Sequence, residues 1–487
     1  MVNIDENYNV CEIHKIIKKV KDFNTGSSPA SKWLLYFNDD VTYNYKKILK
    51  GFLKIYVDLS YFENDDHSDL YLSVNSLNYE VKIYKDIVTP LVKYNICPNF
   101  IRYLASGKIC TYDDLFQILK NHIFRKENEP IELKSLTRRL NSSIHKTMLN
   151  YRDSPDKSIN SNDTKSISES FNENAERNIK SYDLNNLKFD IVLTEVFDNT
   201  EDLDDLLKHD KLGQKNIINI LFQIFVACYV LFLSKAAHND LHDSNVKVRK
   251  LDEPKTIIYV INKKQFILHV SYIAYIFDYD RSYAERLGDN NVLQIYDKYS
   301  MYNKIIPNKD MLKILRSVYT HTHKDKSFIN CASNNKKNID ELIKIYDDRN
   351  FRINGEAVNE SFFSKFNDPF TMILNLSKYL PKIEDIKENI MPEDIYICDK
   401  DFFKKNGEID VLKMNSIVTQ LHDIITSNLL RNKLKLINKS KNKSKNKSKS
   451  KKNKKSYMKS VKKKTFGSSS KSRRRRTNSS KKSRKKI

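Results

Sequence analysis

His238-Asn-Asp-Leu-His-Asp-Ser-Asn245, with Phe277-Asp278-Tyr279-Asp280 downstream, is the stretch whose reading decides this chain. The first segment sets a histidine, an aspartate, a leucine and an asparagine at a fixed spacing. The second ends the apolar run Tyr272 to Phe277 on an aspartate, as a buried strand does where it reaches a polar site. Asp240 is a carboxylate able to orient an attacking hydroxyl, and Asn245 and Asp278 offer the hard oxygen donors that Mg²⁺ takes. A chance match in a polar loop is the plain alternative, and the flanking sequence argues against it.

That flank is IINILFQIFVACYVLFLSKAA, Ile217 to Ala237, almost wholly apolar. Its length admits a membrane span. Asn219 and Gln223 interrupt it, however, and a polar loop follows at once. The segment is therefore expected to be the central helix of a large globular domain, apolar on all sides, with no integral membrane association.

A chain of 487 residues has room for a sizeable core plus appendages. Its net charge of +25 is local. From Lys439 to Ile487 there are 24 Lys and Arg and no Asp or Glu; without them, 62 basic residues face 61 acidic ones. The body is near neutral and the tail is polycationic. KSKNKSKNKSKSKKNKK and SRRRRTNSSKKSRKKI have no hydrophobic face, so the tail is expected to be disordered. Such a tail binds nucleic-acid backbones without sequence preference, serves in nuclear import, or meets anionic membrane surfaces. Simple solubilisation is the other reading. Tyr457 and Phe466 are its only aromatics, too few for base-specific recognition. Its serines are candidate phosphorylation sites, each adding about −2 charge.

Six cysteines (Cys11, Cys97, Cys110, Cys228, Cys331, Cys398) are scattered without a C-x-x-C pair. That pattern argues against a zinc site and a disulfide framework, and for a reducing, intracellular compartment. MVNIDENYNV lacks the basic and apolar regions of a secretory leader.

Upstream, IIKKV and WLLYF read as strands around Gly26-Ser-Ser28-Pro-Ala-Ser31. These are small residues whose backbone N–H groups can approach a phosphate, although an ordinary hairpin turn fits equally. Gly51-Phe-Leu-Lys54-Ile-Tyr-Val57 is strand-like. Leu77, Val81, Tyr84, Val88 and Leu91 recur at helical spacing, which puts Glu80 on a helix following the strand of Lys54. Pro90 breaks that pattern near its end, and CPNFIRYLASG reads as the next strand. Phe189 to Glu195 forms another strand, ahead of the acidic helix DLDDLL. Ser154 to Asn178, rich in Ser, Asn, Asp and Lys, is expected to be a disordered loop.

Together these features resemble the eukaryotic-type serine/threonine protein kinase superfamily, in a divergent form similar to kinases of large DNA viruses and to the poxvirus virion-packaged kinases in particular. The H-x-D-L-x-x-x-N loop and the aspartate at 278 carry the resemblance, which spans roughly Ile13 to Leu430. It implies an α+β, two-lobed fold. A small β-rich N-lobe would occupy 1–196, with a partly disordered insertion near 111–185. A mainly helical C-lobe would occupy 197–430, followed by the tail at 431–487. The resemblance also implies that Gly26, Ser28 and Ser31 cover the phosphates of ATP and that Lys54, paired to Glu80, grips them. The backbone at Glu195 and Phe197 would meet adenine. Asp240 would be the catalytic base, His238 the support of its loop, and Asn245 and Asp278 the Mg²⁺ ligands. Asp310 would open a core helix and anchor the loop from beneath. The implied activity is transfer of phosphate from ATP to Ser/Thr of proteins, its own tail included, in a host nucleus or cytoplasm or in a virion.

The chain departs from the family in several places. His242 stands where a lysine usually meets the transferring phosphate, and small-molecule kinases of the aminoglycoside and choline type often carry D-L-H there. Asn245 and Asp278 are 33 residues apart, more than a short hairpin needs. TIIYVI and FILHV, around Asn262-Lys-Lys-Gln265, account for the excess as two strands. Asp280 replaces a glycine and is a second choice of metal ligand. No A-P-E motif follows. A pseudokinase scaffold for a nucleic-acid-binding tail is the reading from another class, and the complete Asp240, Asn245 and Asp278 set argues against it.

Overall fold

In Trp33-Leu-Leu-Tyr-Phe37, Trp33, Leu35 and Phe37 are fully buried. Leu34 and Tyr36, pointing the other way, are half-buried. This two-residue period builds a sheet with one face in the core and the other only half-buried. The computed structural model describes residues 2–5, 8–22, 31–43, 46–58, 78–120, 188–209, 211–290, 293, 301–324, 368–381 and 391–419. Met1–Val418 forms one compact unit and Thr419–Ile487 a second. The second contains the basic tail, all of which lies outside the described residues, as do Gly26, Ser28, Cys331 and the stretch Ser154 to Asn178.

The first strands are β1 (Val2–Ile4), β2 (Ile17–Asp22), β3 (Ser31–Phe37), β4 (Val41–Tyr43), β5 (Lys46–Lys47), β6 (Lys50–Asp58), β7 (Tyr103–Thr111) and β8 (Lys188–Glu195). Five of them make an antiparallel sheet in the order β2-β3-β6-β8-β7. Trp33, Leu53 and Leu193 lie in register across it and are fully buried. Gly51 is required there, because a Cβ would stand 2.8 Å from the Phe37 ring.

Helix α1 covers residues 78–93 and contains a widened π-turn at Ile83–Val88 before its last α-turn, Thr89–Lys93. Pro90 therefore does not break the helix as expected. It has no N–H to place, and the preceding wide turn relieves the i→i−4 ladder that its ring would disrupt. The strand expected in CPNFIRYLASG starts only at Tyr103. Residues 97–102 instead form a buried connection, because Asn99 is recruited into the polar network described below. Helix α2 (Tyr112–Lys120) occupies the start of the expected insertion, and 121–187 lie outside the described residues.

A second expectation is corrected at the sulfurs. Cys11 and Cys110 form a disulfide across 99 residues of sequence. Wide spacing hid the pair, since β7 folds back beside the N-terminal turn. Cys97, Cys228 and Cys398 are free and buried.

The rest of the unit contains β9 (Thr200–Asp202), α3 (Leu203–Lys208), α4 (Gln214–Leu233), β10 (Ala236–Ala237), β11 (Val246–Ile261), β12 (Lys264–Ile276), β13 (Tyr283–Ala284), α5 (Lys309–Lys324), α6 (Pro369–Ser377) and β14 (Ile395–Cys398). β11 and β12 are one long hairpin. Its two-residue turn, Asn262-Lys263, has φ values of 46° and 65°, the left-handed pair that matches strand twist. β14 extends this sheet in parallel with β11, and β9 pairs with its first half.

The segment Lys215–Leu233 is long and apolar enough to cross a membrane, with a mean hydropathy of 2.2, yet 83% of it is buried inside the protein. The two polar residues in its middle, Asn219 and Gln223, explain why. Asn219 Nδ2 donates to the His269 carbonyl at 3.1 Å, and Gln223 Nε2 donates to the Tyr272 carbonyl at 3.0 Å, both on β12. Gln223 Oε1 accepts from the Ala274 amide and from Asn99 Nδ2, each at 3.1 Å. Asn99 Nδ2 also donates to the Ala274 carbonyl, and its Oδ1 accepts from Tyr259 Oη at 2.7 Å. A polar network satisfied in this way pins the helix to the hairpin inside the core.

Candidate active site

Lys54 sits on the face of β6 opposite Leu53 and Ile55, and is itself buried. Its Nζ lies 2.9 Å from Glu80 Oε1, near the start of α1, and 2.5 Å from Asp278 Oδ1, just after β12. The Lys54 and Glu80 side chains are 4% and 0% exposed. Burial raises the Glu80 carboxyl above its usual range, and the Lys54 ammonium opposes that shift. Asp278 is also penalised by burial, but Lys54 and then Lys32 outweigh the penalty and hold its carboxyl well below the carboxylate range. Of the two aspartates in the motif, Lys54 reaches Asp278. Burial, then the charge of Asp278, pushes the Asp280 carboxyl up to about 7. Asp278 has φ +70°, a left-handed conformation that aspartate tolerates better than most residues.

The 238–245 loop is held from three sides. The His238 amide donates to Asp310 Oδ2 at 2.7 Å, and Asp310 lies in the first turn of α5. His238 Nε2 lies 2.9 Å from the Phe277 carbonyl. Burial lowers the pKa of this imidazole, so it stays neutral and donates through Nε2. Asn239, at φ +65°, receives Lys309 Nζ on its side chain at 2.8 Å and Lys313 Nζ on its carbonyl at 2.6 Å. Asn245 Nδ2 donates to the Asp240 carbonyl at 2.9 Å. This fixes the amide orientation and leaves Oδ1 as the oxygen available to a hard cation.

Asp240 Oδ2 accepts from Arg281 Nη1 at 2.7 Å, and its Oδ1 lies 3.5 Å from Lys313 Nζ. His242, 42% exposed, stands 4.0 Å from Asp240 and 3.8 Å from Asp243. Neither Arg281 nor Lys313 is marked by a motif, so sequence reading missed both. It also missed a column of buried rings. Tyr103 on β7 stacks on Tyr84 of α1 at 6.0 Å, Tyr84 meets Tyr279 edge-on at 5.0 Å, and Tyr279 lies 5.1 Å from the His238 ring. The column joins the sheet, α1, the Asp278 turn and the 238–245 loop. The helical period marked Tyr84 as apolar, but nothing in it named its partners.

Strand register and hydrogen bonds place two further sequence-derived positions. Ser31 stands opposite Ile55 in the β3/β6 register, and it is Lys32 that faces Lys54. The loop reading counted spacing along the chain, whereas the pleat decides which residue shares a face with Lys54. At the end of β8, the Glu195 amide donates to the Arg102 carbonyl at 2.9 Å. The Glu195 carboxylate pairs with Arg102. The Phe197 ring stacks on Tyr275 at 4.6 Å, with Arg102 and Arg249 over it. These side chains brace the segment.

By strand register, Leu34, Phe52 and Val192 lie on the same sheet face as Lys54. Asp278 and Asn245 each offer a hard oxygen donor of the kind Mg²⁺ takes. Among the described residues no group of three or more His, Cys, Asp or Glu is placed to hold a metal by itself.

No family model matches the chain. Over 167 residues, 33% of its length, it is 26% identical to a Plasmodium falciparum (isolate 3D7) protein described as an uncharacterized membrane protein. The chain covers 4% of that protein's length.

Proposed function

We propose that this chain is an ATP- and Mg²⁺-dependent phosphotransferase with a two-lobed, kinase-like fold, acting on Ser/Thr of proteins. The observation that carries this reading is the ammonium of Lys54 between Glu80 and Asp278, which lie 26 and 224 residues away in sequence. An ion triad assembled from three separate elements is costly to bury and suits the binding of a charged ligand. ATP would bring the transferable γ-phosphoryl. Lys54 would hold its phosphates, positioned by Glu80, while Asp278 and Asn245 would hold the Mg²⁺.

Asp240 would orient the acceptor hydroxyl and take its proton. Arg281 and Lys313, both paired with that carboxylate, would put positive charge where the anionic phosphoryl group must arrive. The Tyr103–Tyr84–Tyr279–His238 column would keep α1 and the two loops in one arrangement. The exposed His242 beside Asp240 favours a second reading, a small-molecule kinase. The basic tail would hold the enzyme on nucleic acid or in a virion core without sequence preference.

Transfer of labelled phosphate from Mg-ATP to casein, histone and the chain itself tests the proposal, with Asp240→Ala alongside. Protein labelling lost in Asp240→Ala supports a protein kinase. ATP binding without protein labelling favours a small-molecule acceptor. Absence of Mg-ATP binding would sink the phosphotransferase reading.

A further inference from the structure

Lys32 is a cation on the same face as Lys54. β3 and β6 are antiparallel, and Lys32 stands directly opposite Lys54 in their register. Residues so opposed share a sheet face, with Cβ atoms about 4.5–5.5 Å apart, and like charges there destabilise the pair. Burial lowers the pKa of Lys32, against the pull of Asp278 and with the charge of Lys54 adding to the fall. Lys54 is committed to two carboxylates. Lys32, half-buried, makes no hydrogen bond or ion pair among the described residues. The nearby carboxylates, Asp278 first, offset this cost only in part, and a bound anion would complete the compensation. Gly26 is the only glycine between Ile17 and Phe37. Few backbone amides here can approach a phosphate as closely as a glycine-rich loop allows, and a side-chain charge compensates for that.

We infer that Lys32 is a second phosphate-contacting residue of this site, gripping the polyphosphate of a nucleoside triphosphate beside Lys54. The inference rests on the nucleotide site proposed above. Full-length wild type, Lys32→Ala, Lys32→Arg and Lys54→Ala are titrated with Mg-ATP and with adenosine by calorimetry. Lys32→Ala should weaken Mg-ATP binding by about tenfold, the scale of one lost charge-assisted hydrogen bond. It should leave adenosine binding unchanged, and Lys32→Arg should restore most of the loss. Its thermal unfolding should be unchanged or shifted upward as the repulsion is relieved. A Lys32→Ala affinity for Mg-ATP within about twofold of wild type, or an equal loss for adenosine, overturns the role of Lys32 and leaves the nucleotide site standing. Failure of wild type to bind Mg-ATP overturns both.

Discussion

Removing Lys54 and removing Glu80 should have unequal costs. The two form one ion pair, with side chains 4% and 0% exposed. In Lys54→Met, Glu80 is left as a buried carboxylate without its cation, a change that costs about 3–5 kcal/mol. In Glu80→Gln, Lys54 keeps Asp278 at 2.5 Å. The loss is then a single charge-assisted hydrogen bond, about 1.5–3 kcal/mol. Lys54→Met should therefore be the less stable by roughly 2 kcal/mol. The double variant still leaves Asp278 without Lys54 but no longer strands the Glu80 charge, so it should be more stable than the sum of the singles predicts.

Urea denaturation of wild type, both singles and the double at about pH 7, with m-values compared, reads these differences. The deficit of Lys54→Met should also depend on pH. Burial already raises the Glu80 carboxyl from its ordinary 4.5, and loss of Lys54 raises it further. A carboxyl whose folded pKa lies above the unfolded value destabilises the fold at pH above that range and stops doing so once both states are protonated. The deficit should shrink as pH falls toward 4.5. Equal losses for the two singles, strict additivity in the double, or a deficit independent of pH would refute the reasoning.

Asp240→Asn should reduce phosphate transfer by at least about a hundredfold in a labelled-ATP assay, with a lowered melting temperature as its pairing with Arg281 and Lys313 loses its charge. Full activity in that variant would remove Asp240 from the chemistry. Asn99→Leu should cost about 2–4 kcal/mol in denaturant unfolding, because Tyr259 Oη and Gln223 lose their buried partner. A loss under about 0.5 kcal/mol would show that the network relaxes freely. Lys309 is 1% exposed, and burial brings its pKa down from 10.5 to about 7. The unfolded chain thus binds a proton there that the folded chain gives up, so stability should rise from about pH 7 to 9 and Lys309→Met should flatten the slope. Parallel melting curves against pH for the two proteins would count against this.

Local pattern was enough to place the strands around Trp33 and Leu53, the helix carrying Glu80, the long apolar helix and the β11/β12 hairpin. In each, the side-chain period reports which face is buried, and that is a property of a few consecutive residues. Lys54 and Glu80 were placed on their strand and helix by the same period, while Asp240 and Asp278 were singled out by the H-x-D-L-x-x-x-N resemblance and the aspartate after the apolar run. The sequence alone also decides that the positive charge is gathered in one tail. What only the tertiary structure decided are relations across long separations. These are the opposition of Lys32, and not Ser31, to Lys54, the two cations on Asp240, and the ring column from Tyr103 to His238. The Asn99 network and the bond between Cys11 and Cys110 belong with them. Each depends on strand register or on how two elements pack, and a one-residue change in register would give different neighbours for the same local sequence.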